Sequence, residues 1–175
     1  MLYPSIRSHL TPYIIVKRRK TTINHAFAAA IAPSDEYSDE RVRDAITVLG
    51  QDPDHPLRCA YCNAPAKTWD HVFGTVKDSH FSGYGHRLGN LLPCCKSCNS
   101  AKGNKHWFRY LEGLNGPDQA ERSARIQAYL SKYSTVDALP KESPEYAQFL
   151  KIKKEILDLM AEADRLAKII REMPA

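Results

Sequence analysis

Two Cys-X-X-Cys pairs constrain the fold of this chain more than any other feature of its sequence. The pairs occupy residues 59–62 (CAYC) and 95–98 (CKSC), on either side of a stretch that is rich in histidine and glycine. Four thiolates complete the tetrahedral shell of one zinc ion and leave no position open for catalysis. The sequence therefore predicts a structural zinc site that clamps two distant segments together, with these ligands: Cys59, Cys62, Cys95 and Cys98.

A fifth cysteine, Cys94, leaves an alternative pairing with Cys98 open. The spacing of Cys95 and Cys98 matches that of the first pair, so we prefer Cys95 as the ligand and expect Cys94 to be a small buried residue. A redox dithiol or unrelated free thiols are the other interpretation. A redox site, however, needs only one such pair.

The overall composition is that of an ordinary globular protein. The 175 residues are 43% hydrophobic and 26% charged, which allows one domain with a full core or a small core with appended helices. No apolar run approaches the roughly 20 residues of a membrane span. The first residues do not resemble a signal peptide, because their short apolar run precedes the basic residues 17–20 and no small-residue cleavage site follows. We expect a cytoplasmic protein whose cysteines bind metal instead of forming disulfides.

The charge of +5 is unevenly distributed. Residues 1–30 contain basic side chains and no acid, residues 31–58 are rich in acids, and residues 59–112 are basic again. Basic surface around a site fits a polyanionic ligand such as nucleic acid, although most basic clusters are only solvated surface.

The segment between and after the cysteine pairs carries a series of polar motifs. Residues 68–73 read TWDHVF, residues 85–93 read GHRLGNLLP, and residues 99–105 read NSAKGNK. This order resembles the HNH endonuclease family over residues 59 to about 105, less than a third of the chain. The sequence departs from the commonest family pattern at Phe73-Gly74, where a proline is frequent, and in the length of the loop from Gly74 to Gly85.

The resemblance implies an α+β fold with a small ββα-metal HNH core, held by the structural zinc and embedded in flanking α-helices. It implies that His71 is the general base, since a histidine with an ordinary pKa near 6.5 can accept a proton from water at neutral pH. It implies that Asp70 and Asn99 bind a catalytic Mg²⁺ or Mn²⁺, which prefer oxygen ligands. Asn90, the fourth member of the expected catalytic set, fixes the loop between the two strands.

Four further residues are expected to contact DNA phosphates. Lys102 lies one helical turn beyond Asn99 on the same face, and Lys105, His86 and Arg87 are its basic neighbours in the motif. For His86 the sequence also allows a role in supporting the loop. One conflict is visible: neighbouring residues on a regular strand point to opposite faces, so the strand must end or distort at Asp70 and His71 if both serve one site.

Along the chain we expect a basic and helical segment (1–58), the HNH core (59–112) and a helical region (113–175). A short strand is predicted at residues 13–16. Helices are predicted at 23–31 after Thr22, between Ser38 and Gly50, at 119–130, and at 144–171 after Ser143. Apolar residues in the last helix follow a heptad pattern. The last helix therefore either packs on the body of its own chain or pairs with a second copy to form a dimer.

These observations predict a metal-dependent endonuclease that acts on double-stranded DNA. A double-strand cutter of the restriction type normally needs two sites, hence a homodimer. A nicking enzyme of the homing or phage type, and a zinc-stabilised DNA-binding module without activity, are the alternatives. An RNA substrate and a colicin-like toxin role also stay open.

Overall fold

The computed structural model describes residues 3–174, without the side chains of Ser5 and Ser8; Met1, Leu2 and Ala175 lie outside the described residues. A short 3₁₀ helix, Tyr3–Ser8, precedes the other elements. These are α1 (Ile15–Ala30), α2 (Asp39–Val48), β1 (Thr68–His71), β2 (Val76–Lys77), β3 (His80–Phe81), β4 (Leu91–Cys94), α3 (Lys96–Lys102), α4 (Trp107–Glu112), α5 (Gln119–Tyr133) and α6 (Pro144–Glu172).

The chain divides into two compact units. One consists of residues 3–27 and 140–174, and the other of residues 28–139. This division brings the two ends of the chain together, and so differs from the three consecutive segments that the sequence predicted.

In the first unit, helix α1 begins earlier than predicted. The strand expected at residues 13–16 is wrong, and Thr22 lies within the helix instead of capping it. The Asp164 carboxylate of α6 accepts hydrogen bonds from the backbone N–H groups of Ile15 (2.7 Å) and Val16 (3.0 Å). A negative group at this helix end satisfies free amides and interacts favourably with the helix dipole.

Helix α6 has the predicted start. The Ser143 side chain accepts a hydrogen bond from the Tyr146 N–H at 3.1 Å, and Pro144 occupies the first turn. The helix packs on α1 through Phe149, whose ring lies 4.9 Å from that of Phe27. None of its residues is fully buried. Among the described helices, none is both long and apolar enough to span a membrane.

The second unit contains a helical layer around two small sheets. The Ser38 side chain accepts a hydrogen bond from Arg41 N–H at 3.3 Å and caps α2 as predicted, and Gly50 follows the helix with φ +72°. Helix α5 packs against α2 and α4. The core between these elements includes Ile46, Leu49, Val72, Leu92, Trp107, Leu111 and Ile126.

Strands β1 and β4 pair antiparallel, with Asp70 opposite Leu92 and His71 opposite Leu91. Strands β2 and β3 pair over two residues and form a second small sheet within the loop that joins β1 to β4. Helix α3 follows β4 after a single residue and packs against β1. The protein is therefore of the α+β class, as predicted.

Candidate metal centre and histidine site

The four predicted zinc ligands lie together in the second unit. The Sγ atoms of Cys59, Cys62, Cys95 and Cys98 are all within 4.8 Å of one another, and those of Cys62 and Cys95 are 3.6 Å apart. A tetrahedral zinc site with Zn–S bonds of about 2.3 Å has sulfur atoms roughly 3.8 Å apart. The donor set and its spacing thus fit one structural metal ion such as zinc.

Local backbone contacts hold both cysteine pairs in place. In the first pair, the Ala60 N–H donates to the carbonyl of Pro93 on β4 at 2.9 Å. In the second pair, Cys95 is the N-cap of α3, and its sulfur accepts a hydrogen bond from the Cys98 N–H at 3.4 Å. The cluster therefore joins the loop before β1 to the start of α3.

Cys94 lies outside the cluster of four and contacts one of its members. Its fully buried Sγ is 3.8 Å from the Sγ of Cys59. This contact and the neighbouring backbone N–H groups lower the pKa of Cys59 to about 4 against the effect of burial, while the same contact raises the pKa of Cys94. The geometry agrees with Cys95, and not Cys94, as the fourth ligand.

Asp70 belongs to a buried polar cluster beneath β1. Its carboxylate accepts hydrogen bonds from the Tyr61 hydroxyl at 2.9 Å and from the Lys102 ammonium, with Nζ and Oδ2 3.1 Å apart. Lys102 also donates to the carbonyl of His71 at 2.8 Å. Burial raises the pKa of Asp70, although Lys102 and Tyr61 act in the opposite direction.

This cluster corrects two expectations. Lys102 is only 1% exposed and its ammonium is occupied, so the predicted phosphate contact of Lys102 is wrong. Asp70 is 4% exposed, with both carboxylate oxygens bonded. The amide nitrogen of Asn99 donates to Thr68 Oγ1 at 3.3 Å and to the Trp69 carbonyl at 3.4 Å. Asp70 therefore does not fit the predicted Mg²⁺ or Mn²⁺ site. The hydrogen bonds described for Asn99 involve its amide nitrogen, so its oxygen as a metal ligand stays a prediction.

His71 is the last residue of β1, and Asp70 and His71 are both paired with β4 in one register. The strand therefore continues through both residues instead of ending or distorting between them, and their side chains belong to different clusters. The Nε2 atom of His71 lies 2.9 Å from Nδ1 of His86, and the two rings meet nearly edge to face, 5.0 Å apart at 70°. Burial lowers the pKa of His71, and the neighbouring His86 and Lys102 act in the same direction. His71 is therefore neutral at pH 7.

Asn90 immediately precedes β4 and closes the loop between β1 and β4. Its Oδ1 accepts a hydrogen bond from the Phe73 N–H at 2.8 Å, and its Nδ2 donates to the carbonyls of Phe73 at 3.0 Å and Gly85 at 2.9 Å. Asn90 is 3% exposed. It has the loop-fixing position that the resemblance implied.

The other expected phosphate contacts have different environments. Arg87 forms ion pairs with Asp35 at 3.1 Å and Asp137 at 2.9 Å, which balance its charge and correct its predicted role. His86 is fixed by His71 and by its own N–H, which donates to the Pro33 carbonyl at 2.7 Å; it supports the loop. Lys105 is exposed, and its Nζ contacts only the Ala101 carbonyl among the hydrogen bonds described.

Several residues that shape this site were missed in the sequence. Tyr61 bonds Asp70, while Asp35 and Asp137 hold Arg87. The Tyr129 hydroxyl accepts from the Gly89 N–H at 2.8 Å and donates to the Leu91 carbonyl at 2.7 Å. Of these residues, Tyr61 alone could have been linked to the site from the sequence, because it lies inside the first cysteine pair. Asp35, Asp137 and Tyr129 are distant in sequence from the residues that they contact.

Comparisons of the chain with protein-family models, curated proteins and solved structures find no match. The structure by itself establishes an α+β protein with four clustered cysteines that are suited to a structural metal ion.

Proposed function

We propose that this chain is an HNH-type nuclease that hydrolyses phosphodiester bonds in DNA, with His71 as the general base. The observation that carries the proposal is the hydrogen-bonded pair of His71 and His86 at the end of β1. A neutral imidazole with a fixed orientation can take the proton of an attacking water.

The partner of His71 determines which nitrogen acts. In the tautomer in which His71 Nε2 donates to His86 Nδ1, the lone pair of His71 is on Nδ1. Nδ1 accepts the water proton, and the imidazolium that forms donates a stronger hydrogen bond to His86. His86 is thus a positioning residue for His71.

The surrounding contacts explain how a short hairpin can hold such a pair. The cysteine cluster fixes α3 next to β1, and Lys102 on α3 holds the His71 carbonyl. Asn90 fixes Phe73 and Gly85, which precede and follow the loop between His71 and His86. These contacts limit the freedom of both rings, as catalysis by positioned groups requires.

Dependence on Mg²⁺ or Mn²⁺ belongs to the proposal through the sequence resemblance. Such an ion would neutralise charge on the scissile phosphate. Asp70 is not assigned to it, because both of its carboxylate oxygens are bonded, and Asn99 stays the predicted ligand.

Incubation of supercoiled plasmid with Mg²⁺, Mn²⁺ or neither tests the proposal. We expect wild type to cut the plasmid and His71→Ala to be slower by roughly 10²- to 10⁴-fold. The matched control is His55→Ala, because His55 is an exposed histidine that pairs with Asp52. No cleavage of DNA by zinc-loaded wild type under any of these conditions would sink the enzyme proposal.

A DNA-binding module without activity is the second candidate, and one observation favours it. The Asp70 carboxylate is occupied by Tyr61 and Lys102, where a catalytic metal was expected. In this case DNA binding persists, nothing is cleaved, and His71→Ala binds DNA like wild type. A filter-binding assay beside the plasmid assay separates the two candidates.

We also propose a homodimer formed by α6, as expected for a restriction-type enzyme that cuts both strands. Three exposed apolar side chains recur on this helix at intervals of seven residues: Ile152, Leu159 and Leu166 are 42%, 70% and 45% exposed. Met173, the C-cap residue, continues the spacing and is 62% exposed. A heptad stripe of this kind is typical of helices that pair along their length.

Light scattering tests the dimer. Leu159→Glu should convert the dimer to a monomer, and Ala161→Glu, an exposed position on another face of the same helix, should not. A wild-type monomer both with and without DNA would contradict the dimer. Nicked instead of linear plasmid would then favour the nicking enzyme.

A further inference from the structure

An aromatic groove lies near the histidine pair in the second unit. Its cavity has a volume of about 380 Å³ and is lined on one side by Phe73, Tyr84, His106 and Phe108. Gln127, Ser131 and Ser134, from α5 and its C-terminal cap, contribute polar groups. This volume lies within the range of about 300–1,000 Å³ that is typical of sites for small ligands.

The rings of the groove form a continuous series. Phe73 and Tyr84 stack with centroids 4.3 Å apart at 26°, and His106 and Trp107 stack at 5.9 Å and 29°. Phe108 stands perpendicular to Trp107 at 5.7 Å and is 41% exposed. Trp107 itself is 4% exposed and belongs to the core, so the accessible faces are those of its neighbours.

The chemistry of the lining selects one kind of occupant. None of the described residues that line the groove is an Asp, Glu, Lys or Arg. A phosphate group would therefore find no counter-charge there. A flat heteroaromatic ring would find aromatic faces to stack on, and amide and hydroxyl groups within the same cavity for its polar edge.

The backbone places this groove next to His71. Phe73 follows His71 by two residues, so their Cα atoms are at most about 7 Å apart, and Asn90 fixes the backbone of Phe73 on both sides. A DNA strand advances about 3.4 Å per nucleotide along a B-form axis. A base in the groove and a phosphate at His71 would therefore belong to nucleotides that are close together in one strand.

From these observations we infer that the groove binds one unpaired DNA base next to the cleavage position. The inference rests on the proposed function for the identity of the neighbouring phosphate. A base inside a duplex cannot reach such a groove, because it must first leave the stack. Binding should therefore favour a mismatch, a bulge or a single strand, in which less stacking and pairing is lost.

Fluorescence anisotropy of labelled oligonucleotides tests the inference, with zinc-loaded full-length protein and no added divalent metal. A duplex with a single bulged base is compared with a fully paired duplex. Wild type should bind the bulged duplex more tightly. Phe108→Ala and His106→Asn should each weaken that binding by roughly 5- to 100-fold, the range of one base–aromatic stack, and leave binding to the paired duplex unchanged.

The two variants are chosen to preserve the fold. Phe108 is already half-exposed, and an asparagine at His106 keeps a side-chain acceptor for the Phe108 N–H, which His106 now provides as the cap of α4. Trp69→Ala is the matched control, because Trp69 is a 47% exposed aromatic residue of β1 outside the groove. Circular dichroism and zinc content verify each variant.

The inference would be overturned if wild type bound the bulged and the paired duplex with equal affinity. It would also be overturned if both groove variants bound the bulged duplex as tightly as wild type does. Either result leaves the nuclease proposal standing if plasmid is still cleaved. Conversely, groove-dependent binding of the bulged duplex without any cleavage would support the base site and reject the nuclease.

Discussion

Replacement of Lys102 by methionine tests whether the buried cluster beneath β1 is essential to the fold. Methionine retains most of the length of the side chain and removes its charge. Asp70 then keeps a buried carboxylate with only the Tyr61 hydroxyl as partner, and the His71 carbonyl loses its donor at 2.8 Å. Removal of one partner of a buried ion pair costs about 3–5 kcal/mol.

For a chain of this size, each kcal/mol lowers the melting temperature by about 2–4 °C. Lys102→Met should therefore melt roughly 6–20 °C below wild type in differential scanning calorimetry of zinc-loaded protein. The matched control is Lys105→Met, an exposed lysine in the turn after α3. It should stay within about 0.5 kcal/mol of wild type.

The effect should also depend on pH. Without Lys102, burial raises the pKa of Asp70 further above its unfolded value of about 3.9. The folded state then binds the proton more tightly than the unfolded state does, so its stability falls as pH rises through the interval between the two pKa values. The deficit of Lys102→Met relative to wild type should be smaller at pH 5 than at pH 8.

A double-mutant cycle completes the test. Asp70→Asn combined with Lys102→Met removes both charges, and should be less unstable than the sum of the single variants by about 1–3 kcal/mol. Additive single variants, or a Lys102→Met protein as stable as Lys105→Met, would refute the buried ion pair.

Three further outcomes are expected. Cys95→Ser should lose its zinc and its cooperative unfolding, while Cys94→Ala should retain one zinc per chain, as measured by atomic emission. In urea unfolding, Gly89→Ala should lower the free energy of unfolding by about 3 kcal/mol, because the φ of Gly89 is +85° and a Cβ there would lie 2.3 Å from the backbone of Tyr133. Gly116→Ala should unfold like wild type, because a Cβ at Gly116 would have no atom within 4 Å. The kcat/KM of plasmid cleavage should be constant around pH 7 and fall only below about pH 6.5, because the lowered pKa of His71 keeps the base unprotonated until the pH drops below it; a loss already at pH 7.5 would contradict this.

The parts of the structure that were predictable from sequence depend on local chemistry. The four zinc ligands come together because two short pairs can supply a tetrahedral site whatever the chain does between them. The caps Ser38 and Ser143 act on amides within their own helices, at 3.3 Å and 3.1 Å. Within each cysteine pair and each cap, the residue and its partner are close in sequence.

The parts that were not predictable depend on distant partners. The start of α1 is capped by Asp164, which follows Ile15 by 149 residues. Lys102 was placed correctly on the face of Asn99, but the sequence did not reveal that this face packs against β1. A lysine on such a face enters the core only because Asp70 and two backbone carbonyls receive its ammonium there.

The same contacts connect the four-cysteine cluster to His71. Tyr61 lies inside the first cysteine pair and bonds Asp70, and Asp70 pairs with Lys102. Lys102 in turn holds the carbonyl of His71. A metal ion bound by the four cysteines would therefore need no open coordination position to affect the histidine pair. It would fix the loop of Tyr61 and the start of α3, and so both ends of the cluster on which the end of β1 rests.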